Sequence, residues 1–427
     1  MKIQDLRQRI LFVFFGLFVF VLGVNISMPG INLTVWQELL SKGALFQFLG
    51  MFTGGALDNF SIIAMGITPY INASIIMQLL TVVIPKLQEL QKEGGEEGRQ
   101  KVSQYIRFLT VGLALLQATM MTLSLSRYRG PSGESIFLIK GIFYYLTIIV
   151  ALTAGTAFLM WLGEQITDKG IGNGVSMIIF AGIVLRFPDY VVRTFQQARV
   201  EGALFFVNII LFILITIGLI MAIIILNQGQ RRVPVQYAKR VVGRRMFGGQ
   251  STYIPIRVNN AGVISIIFAI SILMLPSTLL NYLPKPALGT IWAKISGLFT
   301  ILLNPSGIWY SLAYFLLVVF FTYFYSFITF NITDISDNMK KYGGFIPGIR
   351  PGRPTSEYLE RILYRVTFIA AIFLGAIAVL PTYIMQMTKV SFVLGSTSLL
   401  IIVGVALDTM QQIEARLVMR HYQGFMK

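Results

Sequence analysis

Residues 54–85 read GGALDNFSIIAMGITPYINASIIMQLLTVVIP. The stretch is too long for one membrane helix and too interrupted for a straight one, so it divides in two. From Gly54 to Gly66, about a dozen helix-compatible residues rise ~20 Å at 1.5 Å each, short of a hydrocarbon core of roughly 30 Å. The second piece starts at Thr68-Pro69, a capping hydroxyl before a proline at the first helical position, and runs apolar through Leu80 to Pro85. It nearly spans. A segment that dips into a membrane without crossing keeps its backbone satisfied only where protein or a water-filled cavity surrounds it. The stretch therefore predicts a cavity inside a helical bundle.

Composition places that bundle in a membrane. Of 427 residues, 55% are hydrophobic and 12% charged, the balance of a polytopic membrane protein. The absence of cysteine excludes disulfides, thiolate nucleophiles and thiolate-bound metals, and the single histidine, His421, lies in the tail. The net charge of +17 is, in such a chain, first a question of which side of the membrane carries the basic residues.

MKIQDLRQR precedes an apolar run from Ile10 to Ile26 with no small-x-small cleavage site after it, which reads as a retained first span. Residues 27–53, with Trp36, Leu39, Leu40 and Phe46 among polar neighbours, read as a loop or short helix at the far surface. Beyond the broken stretch, spans are expected at about 105–126, 141–163, 173–187, 203–227, 261–276, 307–331, 363–384 and 391–410, which makes ten. With the N-terminus cytoplasmic, 25 of the 35 lysines and arginines fall in or beside the inner segments and 10 in or beside the outer ones. Both termini are then cytoplasmic. The spans divide five and five near Glu201-Gly202, giving an N-terminal half, 1–201, and a C-terminal half, 202–427. Because five is odd, the second half enters the membrane inverted. Short or interrupted segments at 54–84 and 173–187 in one half and 261–276, ended by Pro276, in the other are of the kind that marks a central transport pathway.

Ion-coupled transport and proton relays need ionisable groups at membrane depth, and these are scarce. Asp58 lies in the re-entrant piece and Asp408 at the inner end of the last span, where it reads as an interfacial end-group. GIGNG at 170–174 lacks the strand and spacing of a phosphate loop and reads as a turn that starts a short helix. No catalytic residue, metal or cofactor is expected. An intramembrane enzyme lacks its nucleophile or acid pair, and a small-solute secondary transporter, which inverted topology would suit, lacks a buried ionisable pair. A passive conduit driven by a partner needs neither.

Two inner loops carry the remaining signal. Segment 228–258 has seven basic residues and no acidic one, and alternating Val233, Val235 and Tyr237, a glycine-rich turn and a second extended run predict a hairpin. Loop 332–362 contains KKYGGFIPGIRPGRPT, whose glycines and prolines predict a stiff, non-helical tip presenting Arg350 and Arg353.

The stretches GGALDNFSIIAMGITPYINASIIMQLL, MWLGEQITDKGIGNGVSMIIFAGIV, GQRRVPVQYAKR, QSTYIPIRVNNAGVI, GGFIPGIRPGRPT and GSTSLLI run from the second span to the last. At these residues the chain resembles the SecY family, the channel subunits of the bacterial protein-conducting translocon. Ser265 stands where that family often has proline, and Val175 where isoleucine is common.

The resemblance implies an all-α protein of ten transmembrane helices, its two inverted five-helix halves forming a clamshell around an hourglass pore. A re-entrant plug helix would occupy about 54–66, with Gly55, Ala56, Leu57, Asp58, Asn59, Phe60, Ser61, Ile62, Ile63, Ala64 and Met65. A pore ring would comprise Ile67, Ile71, Val175, Ile179, Ile267 and Ile401. Arg231, Arg232, Lys239, Arg240 and Arg350 would meet the SecA motor and the ribosome. The further partners implied are SecE and SecG subunits, signal sequences and nascent or preprotein chains, and lipid, in the bacterial plasma (inner) membrane. A chain that must let hydrophobic segments leave into lipid needs a seam between its halves. The second and seventh spans are the expected edges, with Ser74 and Gln78 facing Asn259 and Ser265 across a lateral gate.

Overall fold

The computed structural model describes residues 4–42, 50, 53–92, 94–130, 133–237, 240–242, 245–247, 251–282, 297, 307–388 and 396–424. Its helices are α1 Gln4–Asn25, α2 Leu33–Lys42, α3 Thr68–Val83, α4 Pro85–Lys92, α5 Gly95–Arg127, α6 Ile142–Lys169, α7 Gly174–Glu201 and α8 Ala203–Gln228, then α9 Ile264–Tyr282, α10 Ile308–Thr329, α11 Ile332–Lys341, α12 Arg353–Thr388 and α13 Ser396–Gly424. Among the described residues eight helices, α1, α5, α6, α7, α8, α10, α12 and α13, are long and apolar enough to cross a bilayer. α3 bends by 106° into α4, and together they pass the same test; α9 is apolar but shorter over Ile264–Leu273. These two complete the expected ten. The first residues of the last expected span, 391–395, lie outside the described residues.

The bend follows from Pro85. A proline disfavours helical geometry in the residue before it, and Ile84 is extended at φ −100°, ψ 111°. Two expected interruptions are absent. α7 passes through Pro188 and runs 28 residues to Glu201, and α9 passes through Pro276 to Tyr282. Neighbouring helices and local adjustment re-satisfy the backbone groups a proline frees within a bundle. The GIGNG turn does start a helix, with Asn173 Oδ1 accepting from Ser176 N at 3.1 Å, but the helix is long. Gly172 N donates to Gln412 Oε1 at 2.9 Å, tying this turn to α13. One residue, Gly202 at φ +85°, caps both α7 and α8 and turns the chain between the two halves.

Three large apolar clusters fill the bundle, with a smaller fourth joining α7, α8 and α12 around Phe205 and Phe212. One joins α1, α6, α7 and α13 around the re-entrant segment, a second packs that segment under α2 against α5 and α6, and a third unites α8, α9, α10, α12 and α13 with Ile75 of α3.

Outside the bundle, the expected hairpin is present. β1 (Gln230–Tyr237) pairs antiparallel with β4 (Ser251–Arg257) from Gln230↔Arg257 to Gln236↔Ser251, and β2 (Arg240–Val242) and β3 (Arg245–Phe247) form a small ladder between them. β1 also pairs with β5 (Gly344–Phe345), so the sheet order is β4-β1-β5. Alternation then decides the inner face: Val233 and Val235 are buried with Ile256, while the flanking Arg231 and Arg232 are exposed. The second loop is not a separate non-helical tip. α11 supplies Ile332 and Met339 and the first turns of α12 supply Leu359 and Leu363 to the core under the sheet, joining both loops into one unit. Only 342–352 is non-helical, and Arg353 opens α12 with its Nε 3.1 Å from Glu357 Oε1.

Candidate functional site

Asn173 fixes the start of α7, and from there Val175 and Ile179 fall four apart on one face. Ile67 and Ile71 repeat that spacing at the start of α3. The tertiary fold brings these pairs together with Ile267 of α9 and Ile401 of α13. Ile67, Ile71, Ile179, Ile267 and Ile401 line one cavity, and Thr68, Ile266, Ile270 and Ser271 complete its wall. Its volume is about 30 Å³, far short of the room a polypeptide needs. Val175 stands outside that wall but packs against the same buried cluster as Ile67, Ile179 and Ile401. Aliphatic walls offer a passing ion no replacement for its hydration shell, so such a constriction gates by exclusion of water.

The re-entrant segment lies against this waist, but it is a succession of turns rather than the expected helix. Gly54, Gly55, Phe60 and Gly66 take positive φ, which a regular helix does not accommodate. Its hydrogen bonds close locally, with Ala56 N donating to Thr53 O, Asn59 N to Gly55 O, Phe60 N to Leu57 O and Gly66 N to Ile63 O. Ala56, Leu57, Phe60, Ser61, Ile63, Ala64 and Met65 are buried, and Gly55, Asp58, Asn59 and Ile62 partly so.

Three sets of contacts hold it. Ser61 bridges Ser27, with Met28 N donating to Phe60 O at 3.0 Å and Ile62 N to Ile26 O at 3.1 Å. Trp36 of α2 is fully buried; its Nε1 donates to Leu57 O at 2.7 Å, and its ring meets Phe60 edge to face at 5.0 Å. Asp58 is ion-paired with Arg186 of α7. α6 approaches so closely that a Cβ added at Gly155 would stand 2.2 Å from the Ile62 carbonyl oxygen.

In sequence Arg186 falls at the outer end of the expected fifth span, 173–187, where a charged residue reads as the membrane edge. The continuous α7 instead puts it twelve residues, about 18 Å, from the helix start. An arginine inside a long apolar helix was the signal available. Asp408 is exposed within α13, which continues to Gly424 rather than ending at the acid.

The expected gate is differently built. α3 and α9 do pack together, but the polar groups assigned to their seam do not bond across it. Asn259 Nδ2 donates to Asn227 Oδ1 at 2.6 Å while its Oδ1 accepts from Gly262 N, and Ser265 Oγ reaches Gly262 O at 3.4 Å. Gln78 offers its main-chain carbonyl to Thr81 within α3, and Ser74 is half-buried there. Ser265 sits in the first turn of α9, where the Gly262 carbonyl is the nearer acceptor. What meets at the seam is apolar: Ile75 shares a buried cluster with Ile266, Ile270 and Leu273.

Arg231 and Arg350 are exposed on the extramembrane unit, and Arg232 lies 4.9 Å above the Tyr253 ring. Arg240 opens β2, and Lys239 lies outside the described residues. An open cleft of about 410 Å³, lined by Lys340, Phe345, Ile349, Arg350 and Pro351, lies beside β5.

An aliphatic constriction inside a helical bundle, with a segment packed against it that enters but does not cross, is the architecture of a channel. A sequence model of the SecY family matches residues 61–410. The protein translocase subunit SecY of Thermotoga maritima is 46% identical over 434 residues, covering 100% of this chain and 96% of that one. Two solved structures share the fold, each at 17% identity with 98% of this chain and 94% of the other covered. One, at a TM-score of 0.66, is a SecY protein whose plug domain is described as stabilising the closed state and maintaining a membrane seal. The other, at 0.64, is Sec61 in the canine ribosome-channel complex of the endoplasmic reticulum. This chain belongs to the SecY family.

Proposed function

We infer that this chain is the central protein-conducting channel of a Sec translocon, passing unfolded secretory polypeptides across the membrane and releasing hydrophobic segments sideways into lipid. The observation that carries this reading is the isoleucine-lined waist of about 30 Å³ with residues 54–66 packed against it. An aliphatic ring excludes ions when shut, yet presents a sliding polypeptide with no polar group to hold it. Ile67, Ile71, Val175, Ile179, Ile267 and Ile401 form that ring, residues 55–65 are the stopper, and the α3–α9 seam is the exit to lipid. Residues 1–201 and 202–427 are the two jaws. The chain lies in the plasma (inner) membrane with both termini cytoplasmic, a placement supported by the basic excess of the inner segments.

Energy comes from outside the chain. The exposed arginines of the extramembrane unit, Arg231, Arg232 and Arg350 with Lys239 and Arg240, dock the SecA motor or the ribosome, offering cations to acidic protein or to RNA phosphate. The canine relative's presence in a ribosome-channel complex supports the second partner. SecE and SecG complete the assembly. Deleting residues 56–65 tests the reading: ion conductance of the unoccupied channel in planar bilayers should rise, and an unchanged conductance overturns the stopper.

A further inference from the structure

We propose that Arg186 is a positioning residue of the stopper: its ion pair with Asp58 sets how readily the re-entrant segment leaves the waist. The inference rests on the channel reading above and adds a charged latch to it.

α7 carries Gly182, Arg186 and Tyr190 four apart, on one face. That face meets the re-entrant segment. A Cβ added at Gly54 would stand 2.9 Å from Gly182 Cα, so the two backbones touch one turn before the arginine. The Arg186 guanidinium then reaches Asp58 and fills the space beside Gly50 and Gly55. A Cβ at Gly50 would stand 3.4 Å from both Arg186 Nη2 and Asp58 Oδ1, and one at Gly55 3.7 Å from Arg186 Nε. Small residues on the stopper side thus leave room for a large cation on the helix side.

Arginine inside a spanning segment is expensive unless it is paired or meets water, which is why such residues mark function. Arg186 has that partner only while the stopper is seated. When the segment departs, Asp58 leaves with it; the guanidinium keeps the Tyr190 hydroxyl on its own helix, but its charge must find water or another anion. The rest of the segment's grip is apolar packing and hydrogen bonding to its main chain; Asp58 is the one charged residue between Gly54 and Gly66, and Arg186 is its ion-pair partner. The Arg186 side chain is 13% exposed and that of Asp58 37%, so water partly screens the pair and its effect lies toward the lower end for charge-assisted bonds, about ten-fold in the seated-to-displaced ratio.

The test measures resting ion conductance of the full channel complex in planar bilayers. Asp58→Asn and Arg186→Gln are each expected to raise it about ten-fold, Arg186→Lys less, and the exchanged pair Asp58→Arg with Arg186→Asp should bring it back toward the unaltered channel. Leak in the single variants with no recovery in the exchanged pair would reduce these residues to packing and overturn the latch. Silent single variants, in a channel that leaks once residues 56–65 are deleted, would also overturn it while leaving the channel reading intact. A deletion that is itself silent removes the reading. Should Arg186→Gln fail to insert, Asp58→Asn, which leaves α7 untouched, decides the question alone.

Discussion

Among single residues, Trp36 gives the cleanest separation of polar from apolar grip. Trp36→Phe keeps an aromatic edge against Phe60 but removes the indole donor, leaving the Leu57 carbonyl with the Phe60 amide alone. The expected loss is that of one ordinary hydrogen bond, about 1 kcal/mol, read as a lower thermal unfolding midpoint in detergent and a higher resting conductance. A midpoint and conductance equal to the parent would show the bond contributes nothing. Individual residues were the least legible part of the site. Isoleucines in a membrane helix carry no mark of which face lines a passage, and the six of the waist were identified through family resemblance. Asn259 and Ser265 are visibly polar, but a sequence does not display partners, and theirs are Asn227 and the Gly262 main chain. In sequence Trp36 shows only as one apolar residue of a loop or short helix at the far surface, because its acceptor belongs to a turn that exists only once the chain has folded back.

Elements were legible where hydropathy decides and less so at their ends. Hydropathy reports the part of a helix that sits in lipid. The expected span at 105–126 is the apolar part of a 33-residue helix, and 363–384 of a 36-residue one, because charged residues such as those at 95–104 and 353–362 continue the same helices into water. The prolines misled in the opposite sense: Pro85 bends the chain, whereas Pro188 and Pro276 do not break it. The α3–α9 seam is the element-scale feature to probe, since its contacts are hydrocarbon. In a chain with no cysteine, pairs introduced at 71, 75 or 79 of α3 and at 266, 270 or 273 of α9 should crosslink in the resting state. Crosslinked channel should lose signal-sequence entry and regain it on reduction. Full secretion and membrane insertion from crosslinked protein would sink the lateral exit, as would the failure of every pair to link.

At the scale of the whole molecule, the two extramembrane loops were each legible as basic, and the hairpin as a hairpin, but not their union. The two-residue pairing of β5 with β1 and the shared core of Val233, Val235, Ile332 and Leu359 join segments a hundred residues apart, which no local pattern announces. Arg350 is exposed on this unit and its main-chain carbonyl accepts from Thr355 Oγ1 at 2.8 Å, so the backbone is held while the guanidinium is free to meet a partner. Arg350→Glu should slow preprotein translocation at least ten-fold, as loss of a charge-assisted contact implies, with the protein still inserted at normal amount. An unaltered translocation rate would remove Arg350 from the docking surface. Both loops of the unit leave the bundle after Gly202, so the whole platform is carried by one half of the molecule. A load on the platform therefore enters the bundle through α8, α9, α10 and α12, the helices that flank its two loops.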